Sequence, residues 1–161
     1  MEIWKEHRKK ALTTNGKVNM EDVALHWPER LGHLRRISGL VSGLVVLPEV
    51  RVEIWDSLNG HGHGSYVPAE RLIKLWSGTW LLALTFVHEL GHSLMRVGAS
   101  SWNKWGDDSY LSDPEEIFAR AFTQYIALKT GDKTLNLQLE GVREFHWTDE
   151  EFEEMINDLT I

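Results

Sequence analysis

At 161 residues the chain is long enough for one domain with a sizeable core, and its 42% apolar and 25% charged residues are typical of a globular protein. Seventeen basic against 24 acidic side chains give a formal net charge of −7. This balance argues against nucleic acid as the main partner, because phosphate binding needs a concentrated positive surface. The chain has no cysteine, which excludes disulfides and thiolate metal sites.

The amino-terminal segment and the apolar runs bear on where the protein resides. The first 17 residues contain no apolar stretch of signal-peptide length. The longest apolar run, residues 80–87, is far shorter than the ~20 residues that span a bilayer. We therefore expect a cytoplasmic protein without a membrane partner, or a domain taken from a larger protein. Residues 1–161 are predicted to form a single domain, with residues 1–18 as a flexible arm.

The amino-terminal part of the chain predicts one helix followed by two strands. Asn19 is a suitable cap for a helix from about residue 20 to residue 37, and Pro28 is expected to kink or divide it. Residues 44–47 form a short apolar run, and residues 50–55 place apolar side chains at every second position. Both patterns are typical of β-strands.

The central part of the chain predicts a loop, a third strand and a long helix. Residues 57–68 are rich in Gly, Asn and Pro and predict a loop. Residues 71–76 predict a short strand flanked by turn residues. A helix is expected from about residue 80 to residue 97, ended by Gly98, and the polar residues 99–112 predict a second loop.

Capping residues mark two further helix starts. Asp113 is an acidic N-cap followed by proline and two glutamates, which predicts a helix to about residue 129. Thr148 and Glu151 form a capping box that opens a last helix, from residue 149 to about residue 159. The order of one helix, strands and then three helices favours an α+β fold over a βαβ alternation.

The predicted helix over residues 80–97 contains the sequence HELGH. His88 and His92 lie one turn apart on one helix face, so both imidazoles can reach the same metal ion. Zn²⁺ accepts imidazole nitrogen at ~2.0–2.1 Å. Glu89 lies ~100° around the helix from His88, where it can hold a water molecule and take its proton without binding the ion. The motif therefore predicts one catalytic Zn²⁺ per chain.

The residues around the motif favour a metal site over a chance pairing of two histidines. Leucine, valine and methionine side chains precede and follow HELGH, so the cluster is expected to be buried. Buried ionisable groups without a partner cost several kcal/mol in desolvation. A bound metal ion would remove that cost.

A third protein ligand is expected from outside HELGH. The extended pattern H-E-x-x-H-x-x-G-x-x-H is excluded, because position 95 is methionine and position 98 is glycine. Asp107 and Asp108 are candidates in the loop. Glu115 and Glu116 are candidates at the next helix start, but they lie ~100° apart and cannot both face the ion. Glu116 is favoured as the third ligand, because it lies one turn before Ala119 on a side of its helix that can pack closely against the HELGH helix. Alternatively, both glutamates only stabilise the helix N-terminus.

HELGH followed by the helix sequence EIFARAF, residues 116–122, resembles the gluzincins, the zincin metallopeptidases whose third ligand is glutamate. The sequence is especially similar to the anthrax lethal factor-like catalytic domains and to small zincin-like domains of bacteriophages and mobile elements, over about residues 71–125. The resemblance implies a zincin-like α+β fold and a peptide or protein substrate. It also implies Glu116 as the third ligand. Tyr110, one residue out of the family's spacing, is implied as the residue that stabilises the oxyanion; alternatively, Tyr110 packs beside the loop tryptophans.

Two further features of the sequence bear on the same region. In zincins, an edge strand before the active-site helix aligns an extended peptide substrate, and residues 71–76 occupy that position. His61 and His63, in the sequence GHGHG, are interpreted as exposed loop residues, with a second metal site as the alternative.

A zinc metalloendopeptidase is the function that these patterns favour. The main alternative is a non-enzymatic, phage-associated or structural module that keeps zinc for stability, and a zinc hydrolase of non-peptide substrates is another. Glu89 argues against a purely structural site, which needs no base and usually closes its fourth position. The sequence leaves the cleavage specificity and the oligomeric state open.

Overall fold

A computed structural model describes residues 18–60 and 62–159 of the chain. Over these residues the fold is α+β, with one four-stranded mixed sheet and six α-helices. Most of the buried apolar side chains, from the strands and the helices alike, belong to one core. None of the described helices is long and apolar enough to cross a membrane.

The sheet consists of four strands, β1 (Val18–Asn19), β2 (Val50–Trp55), β3 (Gly64–Val67) and β4 (Leu72–Trp76). Their order is β1-β2-β4-β3, with β2 parallel to both β1 and β4 and with β3 antiparallel to β4. Burial explains the alternation in β2, whose apolar side chains at every second position lie in the core: Val50, Val52 and Ile54. The strands predicted over residues 50–55 and 71–76 are therefore confirmed to within one residue.

Pro28 divides the first predicted helix in two. α1 (Glu21–His26) ends before the proline, and α2 (Pro28–Ser42) begins with it. The first backbone N–H of a helix has no partner within the helix, so the missing N–H of Pro28 costs no hydrogen bond there. The Asn19 side chain accepts a hydrogen bond from the backbone N–H of Glu21 (2.9 Å), which supports the first turn. α2 runs to Ser42 rather than to residue 37, because Val41 is fully buried in the core.

Among the described strands, the edges of the sheet are β1 and β3, not β4. Because β4 pairs with β2 on one side and with β3 on the other, the prediction that residues 71–76 form an edge strand is wrong. The loop predicted for residues 57–68 is wrong over Gly64–Val67, which forms β3. All four residues of β3 are half-buried, so the strand lacks the alternation of apolar and polar side chains by which a sequence reveals it.

Residues 44–47 connect α2 to β2 without forming a strand, so this prediction is wrong. Val46 is 86% exposed, and β1 and β4 occupy the two neighbouring positions of β2. β1 begins at Val18, which is buried and aligned with Val50, so residue 18 belongs to the sheet rather than to an arm. The rest of the predicted arm, residues 1–17, lies outside the described residues.

α3 (Leu82–Ser93) carries HELGH and ends earlier than predicted. Met95 has a left-handed φ of 56°, and both Met95 and Val97 are mostly exposed, so another turn would bury little apolar surface. Gly98 is therefore not the residue that ends the helix. Its N–H donates instead to the carbonyl of Pro114 (2.8 Å), which links this loop to the start of the next helix.

α4 (Pro114–Thr130) is the helix that meets HELGH. It starts and ends as predicted, since the Asp113 side chain caps the first turn and Gly131 follows the last with a φ of 62°. α4 packs closely on α3. A Cβ atom at Gly91 would lie 3.2 Å from Cα of Ala119, so the glycine of HELGH lets the two helices approach.

α5 (Lys133–Glu140) has no counterpart in the sequence-based prediction. Leucines at positions 135, 137 and 139 recur every second residue, which resembles a strand more than a helix. In the structure Leu135 and Leu139 are buried, whereas Leu137 is 76% exposed. Asp132 caps the start of the helix, because its side chain accepts a hydrogen bond from the N–H of Leu135 (3.0 Å).

α6 (Asp149–Met155) starts at the predicted capping box. The backbone N–H of Thr148 donates to the Glu151 side chain, and the backbone N–H of Glu151 donates to the Thr148 hydroxyl, both at 3.1 Å. The regular helix ends at Met155 and continues as a 3₁₀ turn to residue 158, so it is shorter than predicted.

A second, smaller apolar cluster holds the loop before α4 against the C-terminal part of the chain. The Trp147 indole N–H donates to the carbonyl of Trp102 (2.9 Å), and the two rings meet edge to face with centroids 5.1 Å apart. Both side chains are almost fully buried, as is Phe152 beside them. The loop that carries Tyr110 is thereby tied to the fold at Trp102.

We predict that Gly64→Ala lowers the free energy of unfolding by about 1–3 kcal/mol, the usual cost of overpacking. The new Cβ would lie 2.5 Å from Cγ2 of Thr85 and 3.2 Å from Cγ of Glu89. Thr85→Ser removes that methyl group, so the double variant should recover part of the loss. Urea unfolding of wild type, both single variants and the double variant measures the effect. Equal stability of wild type and Gly64→Ala would contradict the close approach of β3 to α3.

Candidate metal centre

α3 and α4 bring His88, His92 and Glu116 together, and we call these three residues the triad. Nε2 of His88 lies 3.0 Å from Oε2 of Glu116, and Nε2 of His92 lies 2.9 Å from Oε1 of the same carboxylate. One ligand atom from each residue lies within 4.8 Å of the other two. Ligand atoms at ~2.0–2.2 Å from Zn²⁺ lie within about 4 Å of one another, so small side-chain movements suffice to bind an ion.

The other acidic candidates for a metal ligand lie outside this cluster. Glu115 is exposed at the position before Glu116. Asp107 is exposed in the loop, and Asp108 accepts hydrogen bonds from two backbone N–H groups of its own turn (3.0 and 2.8 Å). In the described part of the chain, the triad is the one group of three or more such side chains placed to hold a metal ion.

Glu89 lies beside the triad with one oxygen atom unpaired. Its side chain is buried, and Oε2 has no hydrogen-bond partner among the described residues. Burial raises the pKa of Glu89; the two histidines oppose this shift, and the charge of Glu116 adds to it. Leaving a buried polar atom unpaired costs about 1–3 kcal/mol, so such an atom calls for an explanation. A water molecule held between a metal ion and Glu89 would provide one.

The groups of the triad are electrostatically coupled. Burial favours the neutral form of Glu116, but hydrogen bonds with both histidines hold its pKa well below the usual range. Burial would lower the pKa of His92, but the hydrogen bond with Glu116 and nearby carboxylates raise it instead. Zinc therefore competes with a proton for His92. Two imidazole nitrogens and one carboxylate oxygen fit Zn²⁺ and leave its fourth position open, as in catalytic sites.

Tyr110 lies beside the triad and lines the same groove as His92 and Glu116. Desolvation and the nearby charge of Glu116 raise the pKa of Tyr110, so the phenol lies close to that carboxylate. The residue is 58% exposed and is not part of the apolar cluster around Trp102. Its hydroxyl thus lies beside the groups that would hold a metal ion.

Two grooves flank the triad. A cleft of about 560 Å³ has His88, Glu89 and Tyr110 in its wall, together with apolar side chains from two segments: Leu81, Leu84, Val142 and Phe145. A second groove, of about 340 Å³, is lined by residues of β3 and by both His92 and Glu116. The triad is therefore accessible from two sides, with space for a substrate.

The structure corrects the interpretation of His63 as an exposed loop residue. His63 is half-buried in the wall of the cleft, where its Nδ1 lies 2.6 Å from the Thr79 hydroxyl oxygen and its ring contacts the edge of Trp76. It does not belong to a metal-ligand cluster within the described residues. His61 lies outside the described residues.

Two polar residues of the cleft wall have no counterpart in the sequence-based prediction. His146 is buried, donates from Nδ1 to the carbonyl of Val142 (3.0 Å), and has its pKa lowered by burial to about 4. Arg120 lies one turn after Glu116 and is 3% exposed. Helical periodicity places Arg120 on the same face as Glu116, but no local pattern marks His146.

Comparisons with known proteins add no relative from which to transfer a function. No protein-family model, curated protein or solved structure matches this chain significantly. The function is therefore inferred from the chemistry of the triad, Glu89 and the grooves beside them.

Proposed function

We propose that the protein is a zinc-dependent metallopeptidase of the zincin type, in which the triad binds one Zn²⁺ and Glu89 is the general base. The observation that carries the proposal is the buried, unpaired oxygen of Glu89 next to two imidazoles and a carboxylate. A purely structural zinc site has no need of such a group. The resemblance of HELGH and EIFARAF to the gluzincins supports the same assignment.

The proposed reaction needs a base and an acid at one position. When bound, Zn²⁺ acts as a Lewis acid, which polarises a carbonyl group and makes water acidic near neutral pH. Glu89 takes a proton from the attacking water and then delivers it to the amine that leaves. The buried Oε2 of Glu89 supports this role, because it has no partner among the described residues and can accept that proton.

Tyr110 is proposed to stabilise the negative charge that develops on the substrate oxygen. The residue lies near Glu116 and lines both grooves. A side chain this exposed can turn from the ligand carboxylate toward a substrate at little cost. A hydrogen-bond donor placed there acts on the charge that appears only in the transition state.

Peptides are the proposed substrates because an unpaired strand edge borders the site. Within the described residues, β3 pairs only with β4, so its other edge has free backbone groups. Ser65 and Tyr66 of β3 line the groove that also contains His92 and Glu116. An extended peptide that paired with β3 would pass beside the triad.

The wild-type protein should bind one equivalent of Zn²⁺. Glu116→Ala should lower the zinc affinity more than about 100-fold, because the loss of a residue that only orients a metal ligand already lowers metal affinity about 10–100-fold. Glu115→Ala is the matched control, because this exposed neighbour is not part of the triad. Competition with a zinc chelator measures the affinities. Unchanged affinity in Glu116→Ala, or an equal loss in both variants, would disprove the ligand assignment.

Glu89→Gln should keep the zinc content and the fold but lower kcat by about 10²–10⁴-fold, because it removes the base and preserves the shape. An unbiased peptide library incubated with zinc-loaded protein identifies a cleaved sequence for the measurement. Equal cleavage by wild type and Glu89→Gln would refute the mechanism. If the wild type cleaves nothing in the library, a module that keeps zinc for stability becomes the better account.

Tyr110→Phe should lower kcat by about 10²–10³-fold, the usual cost of losing one oxyanion donor, with little change in KM. Tyr125→Phe is the control, because it removes a hydroxyl group from a residue packed against the core on the same helix as Glu116. Zinc affinity is measured in parallel. Weaker zinc binding with an unchanged kcat at saturating zinc would show that Tyr110 only positions Glu116.

A further inference from the structure

The wall of the 560 Å³ cleft contains a buried guanidinium group whose hydrogen bonds are incomplete. Nε of Arg120 donates to the carbonyl of Glu116 (3.2 Å), and Nη2 donates to the carbonyl of Leu111. The guanidinium carbon lies 4.4 Å from the ring centroid of Trp105. Through these contacts the side chain ties the loop to α4. They leave Nη1 buried, with no partner among the described residues.

The positive charge of Arg120 also lacks a close counter-ion. No carboxylate in the described part of the chain lies within ion-pair distance of its guanidinium group. The nearby Asp108 carboxylate is engaged in its own turn. A guanidinium group keeps its proton in proteins, so its buried charge is offset only by more distant groups. A ligand that brought an anion to Nη1 would supply both the missing acceptor and the missing charge.

The cleft suits one carboxylate on an apolar stem better than a phosphate. Arg120 is the only Arg or Lys among the described residues that line it, whereas phosphate recognition normally uses several cations. Leu84, Val142 and Phe145 form apolar walls around the same space. Methylene groups can pack against these walls while a terminal carboxylate reaches the arginine.

We propose that Arg120 binds a carboxylate of the substrate, so that the enzyme prefers peptides with an acidic side chain, or a free C-terminus, next to the bond that is cleaved. The inference rests on the proposed function. His88 and Glu89 line the same cleft as Arg120. A peptide bond held at the metal ion would therefore place the residue next to that bond inside the cleft. Desolvation in the buried wall strengthens the charged hydrogen bond.

Hydroxamate-capped dipeptides test the proposal without turnover, because the hydroxamate binds the metal ion. Three probes are compared on the zinc-loaded full chain by titration calorimetry: Glu with an amidated C-terminus, Gln with an amidated C-terminus, and Gln with a free C-terminus. A carboxylate probe should bind about 10–100-fold more tightly than the amidated Gln probe, as expected for a hydrogen bond between charged groups. Whichever carboxylate probe shows the gain identifies the side chain or the C-terminus as its source.

Two variants assign the effect to Arg120. In Arg120→Gln the gain should fall to about twofold or less, within the usual scatter of such comparisons. Arg30→Gln should keep the full gain, because Arg30 also donates to a backbone carbonyl (2.8 Å, Ser77) and lies over a tryptophan ring, but is not part of the cleft wall.

If Arg120→Gln fails to fold, the affinities of the three probes for the wild-type protein still test the proposal. Equal affinities of the amidated Glu, amidated Gln and free-acid Gln probes for wild type would overturn the carboxylate subsite and leave the metal centre intact. A gain that persists in folded Arg120→Gln would also overturn it. Absence of binding by any probe would instead mean that the proposed metal centre fails, and the subsite with it.

Discussion

Close packing between α3 and α4 sets the geometry of the candidate site. Because Gly91 has no side chain, Ala119 and Phe122 come into contact with the helix that carries both histidines. Glu116 lies one turn before Ala119, and this contact brings its carboxylate to 2.9–3.0 Å from the imidazole nitrogens. Phe122 is fully buried, so the apolar core fixes the helices while the polar groups remain at their edge, open to two grooves.

Glu89 and Arg120, beside the triad, each have a polar atom that is buried from solvent. Of the three buried side-chain polar atoms without a partner in the described part of the chain, two belong to Glu89 and Arg120, and the third belongs to Ser38. Each such atom costs about 1–3 kcal/mol. The unpaired atoms of Glu89 and Arg120 belong to residues of one cleft. Both are explained if a metal-bound water is the partner of Glu89 and a substrate carboxylate is the partner of Arg120.

Local sequence patterns predicted the components of the candidate site better than its surroundings. His88, Glu89 and His92 follow from spacing within one helix, and the preference for Glu116 followed from the small residues that let two helices approach. β3 was predicted as a loop because a half-buried edge strand has no alternation to detect. The cleft also could not be predicted, because remote segments form its walls and place residues such as His146 there by tertiary packing alone.

X-ray absorption spectroscopy of the protein loaded with one equivalent of Zn²⁺ tests most directly whether two imidazoles and a carboxylate hold the ion. Zinc held by the triad should show four nitrogen or oxygen ligands at ~2.0–2.2 Å, with the multiple scattering of two imidazole rings. In Glu116→Ala the two imidazole contributions should remain while the carboxylate contribution is lost. A wild-type spectrum with six oxygen ligands and no imidazole scattering would contradict the assignment of His88, His92 and Glu116 as a zinc site.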